Sequence, residues 1–385
     1  MSRRTTLIYS IIQMFFWSGW AALLGFSSTF LLSAGLSSLK VGILMGCCSL
    51  ASALLQPLLA GAVDRAGTAS LKRLISALSF LSICFGISLL RFSVKPMTAG
   101  ILFGICAGII QLMSPFLNAM ASSAEGTDFG IARGIGSAGY AMVFPFIGQL
   151  CEKWSTNAVI IAAILGFAGT AFFTLFFPAA DRPQAEKDSG QKSGSFAAKH
   201  PAFMVTLSGV LLLYISHVLL GNYGYQIVLS KGGNSIAFGN GGSIAACAEL
   251  PVMFLFALLL KKKPASFWVR ITGFSFFLKA AVILLTKGIS AYYAAMLFQL
   301  TGWGLIQVAS VYYVNEAIEP ENAVKGQSMF TSALAMATVI GSFAGGWLID
   351  TFSVHTMIAV SAAAAGIGAC IVFLSLKSRK EAGHG

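Results

Sequence analysis

Residues 181–200 read DRPQAEKDSGQKSGSFAAKH, the only long polar stretch in the chain. Rich in Ser, Gly, Lys and Asp, it has the composition of a flexible linker. Outward from it in both directions the sequence turns apolar. Runs long enough to span a bilayer fall near 7–33, 40–63, 74–90, 97–121, 134–151 and 157–178 before it. Six more follow it, near 202–229, 237–260, 268–286, 290–314, 326–349 and 356–376. Lipid offers no partner to a backbone N–H or C=O, so each run is expected to be helical, and the ten-residue alternating strands of a membrane barrel are not seen. The sequence therefore predicts an all-α integral membrane protein of twelve transmembrane helices. They form two six-helix halves, residues 1–180 and 201–385, joined by the linker at 181–200.

Composition agrees and removes other classes. Of the 385 residues 57% are hydrophobic and 10% charged, against roughly a quarter charged in a soluble domain, which excludes an ordinary water-soluble enzyme. The net charge of +12 does not imply a nucleic-acid partner, because that needs a basic face in water and here the basic residues punctuate apolar runs. Assigned to alternate sides of the predicted helices, eighteen Lys and Arg fall on the side of the linker and termini and six on the other, with Lys279 inside helix 9. This bias places the linker and both termini in the cytoplasm of a cell, here expected to be bacterial, with the chain multi-pass in its inner (cytoplasmic) membrane. The seven cysteines lie mostly within apolar runs without CxxC spacing and read as small buried residues, not as a disulfide framework or metal site. The apolar stretch after Ser2-Arg3-Arg4 is far longer than a signal-peptide core and reads as an uncleaved first helix.

Ionisable residues inside apolar helices carry the functional reading. Glu249 lies about halfway along helix 8 in Ala-Glu-Leu-Pro, Lys279 well inside helix 9, and His217 deep in helix 7. A central charge costs roughly 2.5–3.5 kcal/mol on insertion scales, so such groups face a partner or a wet cavity. Glu249 and Lys279 are each other's natural partner, because opposite charges ~4 Å apart gain about 4 kcal/mol at an effective dielectric near 20. The plain alternative is a structural ion pair. An ammonium, unlike a guanidinium, can lose its proton when desolvated, so Lys279 is a candidate proton carrier as well as a counter-ion. His217 is read either as a coupling or solute-contact group or as an ordinary helix contact.

Polar and aromatic stripes supply a candidate solute surface. Gln13 and Trp17 lie on one face of helix 1, and Gln299, Trp303 and Gln307 follow the i, i+4, i+8 pattern on helix 10. Gln111 and Asn118 on helix 4 and Tyr214 on helix 7 add to them. Amides suit a neutral hydroxylated ligand and indoles suit a sugar or aromatic face. Against this, Gln and Trp in membrane helices also join helices or anchor interfaces.

Two motifs connect the chain to a known family. Between helices 2 and 3 stands Ala60-Gly61-Ala62-Val63-Asp64-Arg65-Ala66-Gly67, similar to the G-x-x-x-D-R-x-G loop signature of the major facilitator superfamily, with Ala60 departing from its first glycine. At the start of helix 5, Phe129-Gly130-Ile131-Ala132-Arg133-Gly134-Ile135-Gly136-Ser137-Ala138-Gly139-Tyr140 resembles F-G-x-x-R-x-x-G-S-x-G-Y of the branch holding the lactose permease and the phenylpropionate and nucleoside proton symporters. The resemblance runs nearly the full length. It implies two pseudo-symmetric halves about an axis along the membrane normal, with helices 1, 4, 7 and 10 lining the path. It further implies a cytoplasmic gate at Asp64, Arg65 and Gly67, a solute-facing role for Arg133, and coupling through the Glu249-Leu250-Pro251 segment opposite the helix 9 base. The acidic sugar partner expected on helix 4 is absent, and so are the acid and histidine expected on helix 10. If protons drive the protein, Glu249 must carry most of the coupling.

The expected function is secondary active transport by alternating access: proton symport of a small neutral hydroxylated solute such as an oligosaccharide or nucleoside. The alternative is a proton-coupled efflux antiporter for amphipathic compounds. No catalytic motif (HExxH, GxSxG, P-loop) points to an enzyme. No cofactor or metal is expected beyond the proton as coupling ion. The expected partners are the solute and the lipid bilayer, with the two fused halves acting as a monomer.

Overall fold

In the computed structural model of the chain, residues 2–66, 68–92, 95–121, 128–178 and 196–382 are described, with side chains for all of these except 2–3, 64–70 and 377–382. No strand occurs among the described residues. Among the described residues twelve helices are long and apolar enough to cross a membrane. They are α1 (Arg4–Gly25), α2 (Ser38–Val63), α3 (Leu71–Phe92), α4 (Pro96–Ala121), α5 (Phe129–Lys153) and α6 (Asn157–Phe176), then α7 (Pro201–Asn222), α8 (Ser235–Leu260), α9 (Ala265–Leu285), α10 (Ile289–Ala317), α11 (Pro320–Thr351) and α12 (Val354–Leu376).

The unpaired backbone groups at helix ends are met by named side chains. Asp128 accepts from the Ile131 N–H at the start of α5, at 3.0 Å. The Glu316 carboxylate takes both the N–H and the hydroxyl of Ser266 at the start of α9, at 3.2 and 2.6 Å. Ammonium groups serve the other polarity: Lys72 donates to the carbonyls of Leu175 and Phe177 at the end of α6, and Lys231 to that of Thr286 after α9. Carboxylates at N-termini and cations at C-termini are the arrangement the helix dipole favours.

The backbone repeats itself. α1 breaks at Phe26 (φ −101°, ψ 19°) before a seven-residue helix, Ser27–Ser33; α7 breaks at Tyr223 (φ −108°, ψ 18°) before another, Gly224–Ser230. Each short helix ends on a glycine in the left-handed region, Gly35 at φ +90° and Gly232 at φ +77°. The closing bonds match as well: Leu36 N–H to Leu31 C=O at 3.1 Å, and Gly233 N–H to Val228 C=O at 2.9 Å. This is the six-to-one bond of a Schellman cap, which needs a residue free to take positive φ. α2 and α8 then begin at Ser38 and Ser235. A second echo closes α5 and α11, where the N–H groups of Trp154 and Ser155 bond Leu150 C=O as those of Phe352 and Ser353 bond Leu348 C=O. Helix pairing follows suit, with α1 on α5 and α6, and α3 on α4 and α6, as α7 lies on α11 and α12, and α9 on α10 and α12. These are two copies of one six-helix unit.

The chain divides into two compact units, Met1–Lys187 with Asn234–Ser243, and Asp188–Gly233 with Ile244–Gly385. The inclusion of Asn234–Ser243 in the first unit has a packing cause. A Cβ on Gly148 of α5 would lie 2.5 Å from Ser235 O, and one on Gly239 would lie 2.6 Å from Phe144 O. Only two glycines let these backbones meet, and the rings of Phe26, Phe144 and Phe238 pack beside them at 5.0–6.0 Å.

Candidate solute and coupling sites

In the second unit the intramembrane charges converge with the α7 and α10 aromatics. Lys279 is 7% exposed, and its ammonium donates to Gln299 Oε1 at 2.6 Å. Gln299 is equally buried. The half-buried Glu249 acts on that ammonium as the attracting opposite charge. The bond that the ammonium makes is thus to an amide, with the carboxylate acting on it as an opposite charge. An amide oxygen compensates part of the desolvation of the cation.

His217 lies flat on Trp303, with ring centroids 4.1 Å apart and planes within 4°. Phe276 meets the imidazole edge-on at 5.7 Å, and Tyr214 meets the indole at 5.9 Å. The helix 10 stripe is consequently divided between neighbours, Gln299 toward α9 and Trp303 toward α7, while Gln307 is half-buried further along.

The reason lies in the backbone of α10, which tightens to a 3-10 turn at Leu297–Gln299 and widens to a π turn at Leu300–Gly304. Such interruptions recur at functional sites because they re-aim side chains. A Cβ on Gly304 would sit 3.1 Å from Glu249 Cα and from Val252 Cγ1, so the glycine lets α10 touch α8 at the level of the carboxylate. Pro251 contributes from the other side, since it cannot supply the helical N–H to the carbonyl four residues earlier. Across the same turn the Ser275 hydroxyl donates to Thr301 Oγ1 at 2.7 Å, tying α9 to the π segment.

The first unit holds a second polar cluster. Trp17 Nε1 donates to Gln13 Oε1 (2.7 Å), Gln13 Nε2 to the Tyr9 hydroxyl (2.5 Å), and that hydroxyl to Leu117 C=O of α4 (2.9 Å). Gln13 is fully buried, with its amide engaged on both sides. It therefore positions Trp17. The Arg133 guanidinium lies over the Trp17 ring at 3.9 Å and donates to Ser137 Oγ at 2.7 Å. Gly136 makes this possible, because a Cβ there would come within 2.7 Å of the indole.

Gln111 is directed elsewhere: it accepts from Ser49 of α2 at 2.9 Å and donates to Ala107 C=O, which joins helices. Asn118 is exposed. The side chains of Asp64 and Arg65, and all of Gly67, lie outside the described residues. Sequence reasoning missed Tyr9, Ser137, Ser275 and Thr301. Only the glycines flanking Trp303 could have pointed to an irregular turn.

Twelve spans built as a repeated six-helix unit, each copy enclosing buried polar groups, define a multi-pass membrane transporter. The model of the Major Facilitator Superfamily matches residues 9–333, and the chain belongs to that superfamily. Among solved structures it is similar to a point mutant of the nucleoside transporter NupG (15% identity, 97% of this chain and 99% of that one, TM-score 0.80). It is also similar to NupG itself (16%, 97% and 98%, 0.76) and to a bacterial homologue of the iron transporter ferroportin in an inward-facing state (13%, 98% and 99%, 0.76). No curated protein sequence matches it.

Proposed function

We propose that the protein is a proton-coupled symporter of a small neutral hydroxylated solute, of the oligosaccharide or nucleoside kind, working by alternating access from a bacterial cytoplasmic membrane with both termini inside. The observation that carries this reading is the buried Lys279 ammonium, bonded to Gln299 within the field of Glu249 and beside the stacked His217 and Trp303. A carboxylate that gains a proton loses its hold on a neighbouring ammonium, so occupancy by a proton and the arrangement around Gln299 and the π turn are linked. Neutral amides and flat aromatic faces favour a solute that offers hydroxyls and a ring. The similarity to a nucleoside transporter points the same way.

Glu249→Gln tests the reading. Uptake driven by a pH gradient is expected to be lost while solute counterflow in proteoliposomes continues, because exchange needs no net proton movement. Active uptake equal to that of the unsubstituted protein refutes proton coupling through Glu249.

A further inference from the structure

At the linker-side end of α9 the sequence Lys261-Lys262-Lys263-Pro264 precedes Phe267, Trp268 and Arg270. The three lysines are exposed. The loop carrying them is shaped by the protein itself, because Trp268 Nε1 donates to Lys263 C=O at 3.2 Å and the Lys263 ammonium lies 5.8 Å from the Phe267 ring. One turn into α9, the Arg270 guanidinium sits 5.7 Å from the Phe373 ring of α12, and its Nε is buried without a hydrogen-bond partner. No carboxylate pairs with Arg270 among the described residues. The nearby acid, Glu316, is engaged by Ser266.

We propose that this end of the α9–α12 pair binds the headgroup of an anionic phospholipid, with Arg270 and the Lys261–Lys263 loop holding the phosphate. A guanidinium left without an acid at the rim of the bilayer is matched by a phosphodiester, which takes its N–H groups in pairs. The apolar surface continues in the direction of the acyl chains: Phe274, one turn further along α9, is 59% exposed and Phe373 is 54% exposed. Lys261, Lys262, Lys263 and Arg270 together make four basic residues, a number at which a segment gathers anionic lipid. Charge at the headgroup level joined to exposed phenyl rings below it selects an amphiphile over a free anion.

The test is a thermal-unfolding titration of the full chain in neutral detergent with dioleoylphosphatidylglycerol, with dioleoylphosphatidylcholine and inorganic phosphate as parallel arms. Phosphatidylglycerol is expected to stabilise at roughly tenfold lower concentration than phosphatidylcholine, less so in high salt, with phosphate alone inert. Arg270→Gln, and separately Lys261→Gln/Lys262→Gln/Lys263→Gln, should each shift the phosphatidylglycerol curve toward that of phosphatidylcholine. The triple variant alters only exposed loop side chains, so it remains informative if Arg270→Gln does not fold. Coincident curves for the two lipids overturn the proposal, as does a phosphatidylglycerol response that the lysine variant leaves unchanged. A shift reproduced by phosphate alone also overturns it, assigning the groups to a free anion.

Discussion

Replacing Gln299 by Leu isolates the interaction on which the proposed coupling site is built. The buried Lys279 ammonium gives one short hydrogen bond to the Gln299 amide oxygen at 2.6 Å. Leucine keeps most of the volume and removes the acceptor. Hydrogen bonds to charged groups contribute about 1.5–3 kcal/mol, and an unmet buried donor costs its desolvation in addition. Glu249 still attracts the ammonium, which limits the loss, so a destabilisation of about 2 kcal/mol is expected. At roughly 2–4 °C per kcal/mol that is a melting temperature lower by about 4–8 °C in detergent. Lys279→Met combined with Gln299→Leu removes donor and acceptor together, so that neither is left buried without the other. In the Lys279→Met background, which already forfeits the attraction of Glu249, Gln299→Leu should therefore cost little more, leaving an interaction energy of about 1–2 kcal/mol in the double-mutant cycle. Strict additivity, or a Gln299→Leu protein that melts with the unsubstituted one, refutes the reasoning, since either means that the amide does not hold the ammonium.

The repeated caps predict matched penalties: Gly35→Ala and Gly232→Ala should each cost about 1–2 kcal/mol for an L-residue at positive φ. Gly35→Ala should cost somewhat more, because its Cβ would meet Pro96 Cγ at 3.3 Å while none lies within 4 Å at Gly232; equal melting points for both variants and the parent would refute this. Arg133→Lys keeps the charge but gives up the flat stack on Trp17 and the geometry of the Ser137 bond, so a several-fold higher KM for the solute is expected, and an unaltered KM would show that Arg133 is only an anchor. Glu319, at the linker side before α11, is held below its ordinary carboxyl value of 4.5 chiefly by its own backbone N–H, with Lys199, His200 (3.4 Å away) and Asn322 assisting. A carboxylate depressed in the fold stabilises above its unfolded pKa and loses that contribution as pH falls through the folded one. The difference in melting temperature between Glu319→Gln and the parent should thus be present near about pH 6 and shrink as the pH is lowered below the ordinary carboxyl range; a difference that grows on acidification would contradict the sign.

Much of the site was legible as residue types and little of it as geometry. Glu249, Lys279 and His217 stand out because an ionisable group in an apolar run demands a reason. Their partners do not stand out. Gln299, Gln13 and Gln111 look alike in a helical stripe, yet the first receives an ammonium, the second is enclosed between Trp17 and Tyr9, and the third ties α4 to α2. Periodicity counts 3.6 residues per turn throughout, and it missed the π turn at Leu300–Gly304 that turns Gln299 toward α9 and Trp303 toward α7. The internal repeat was also hidden, since it survives as a few positions such as Leu32 and Leu229, Ser33 and Ser230, Gly35 and Gly232, and shows plainly only in matching dihedrals and bonds.

By itself the amino-acid order determined the number of spans, their helical state and the position of the polar stretch between the halves. Those follow from a one-dimensional cost, the transfer of each side chain and backbone group into lipid, which adds up along the chain without reference to neighbours. Tertiary structure alone decided which amide meets the Lys279 ammonium, that Arg133 rests on Trp17, and that the first turns of α8 pack with the first unit through Gly148 and Gly239. These depend on contacts of a few ångströms between residues distant in sequence, set by where a missing Cβ lets two helices approach, and no local pattern encodes that distance.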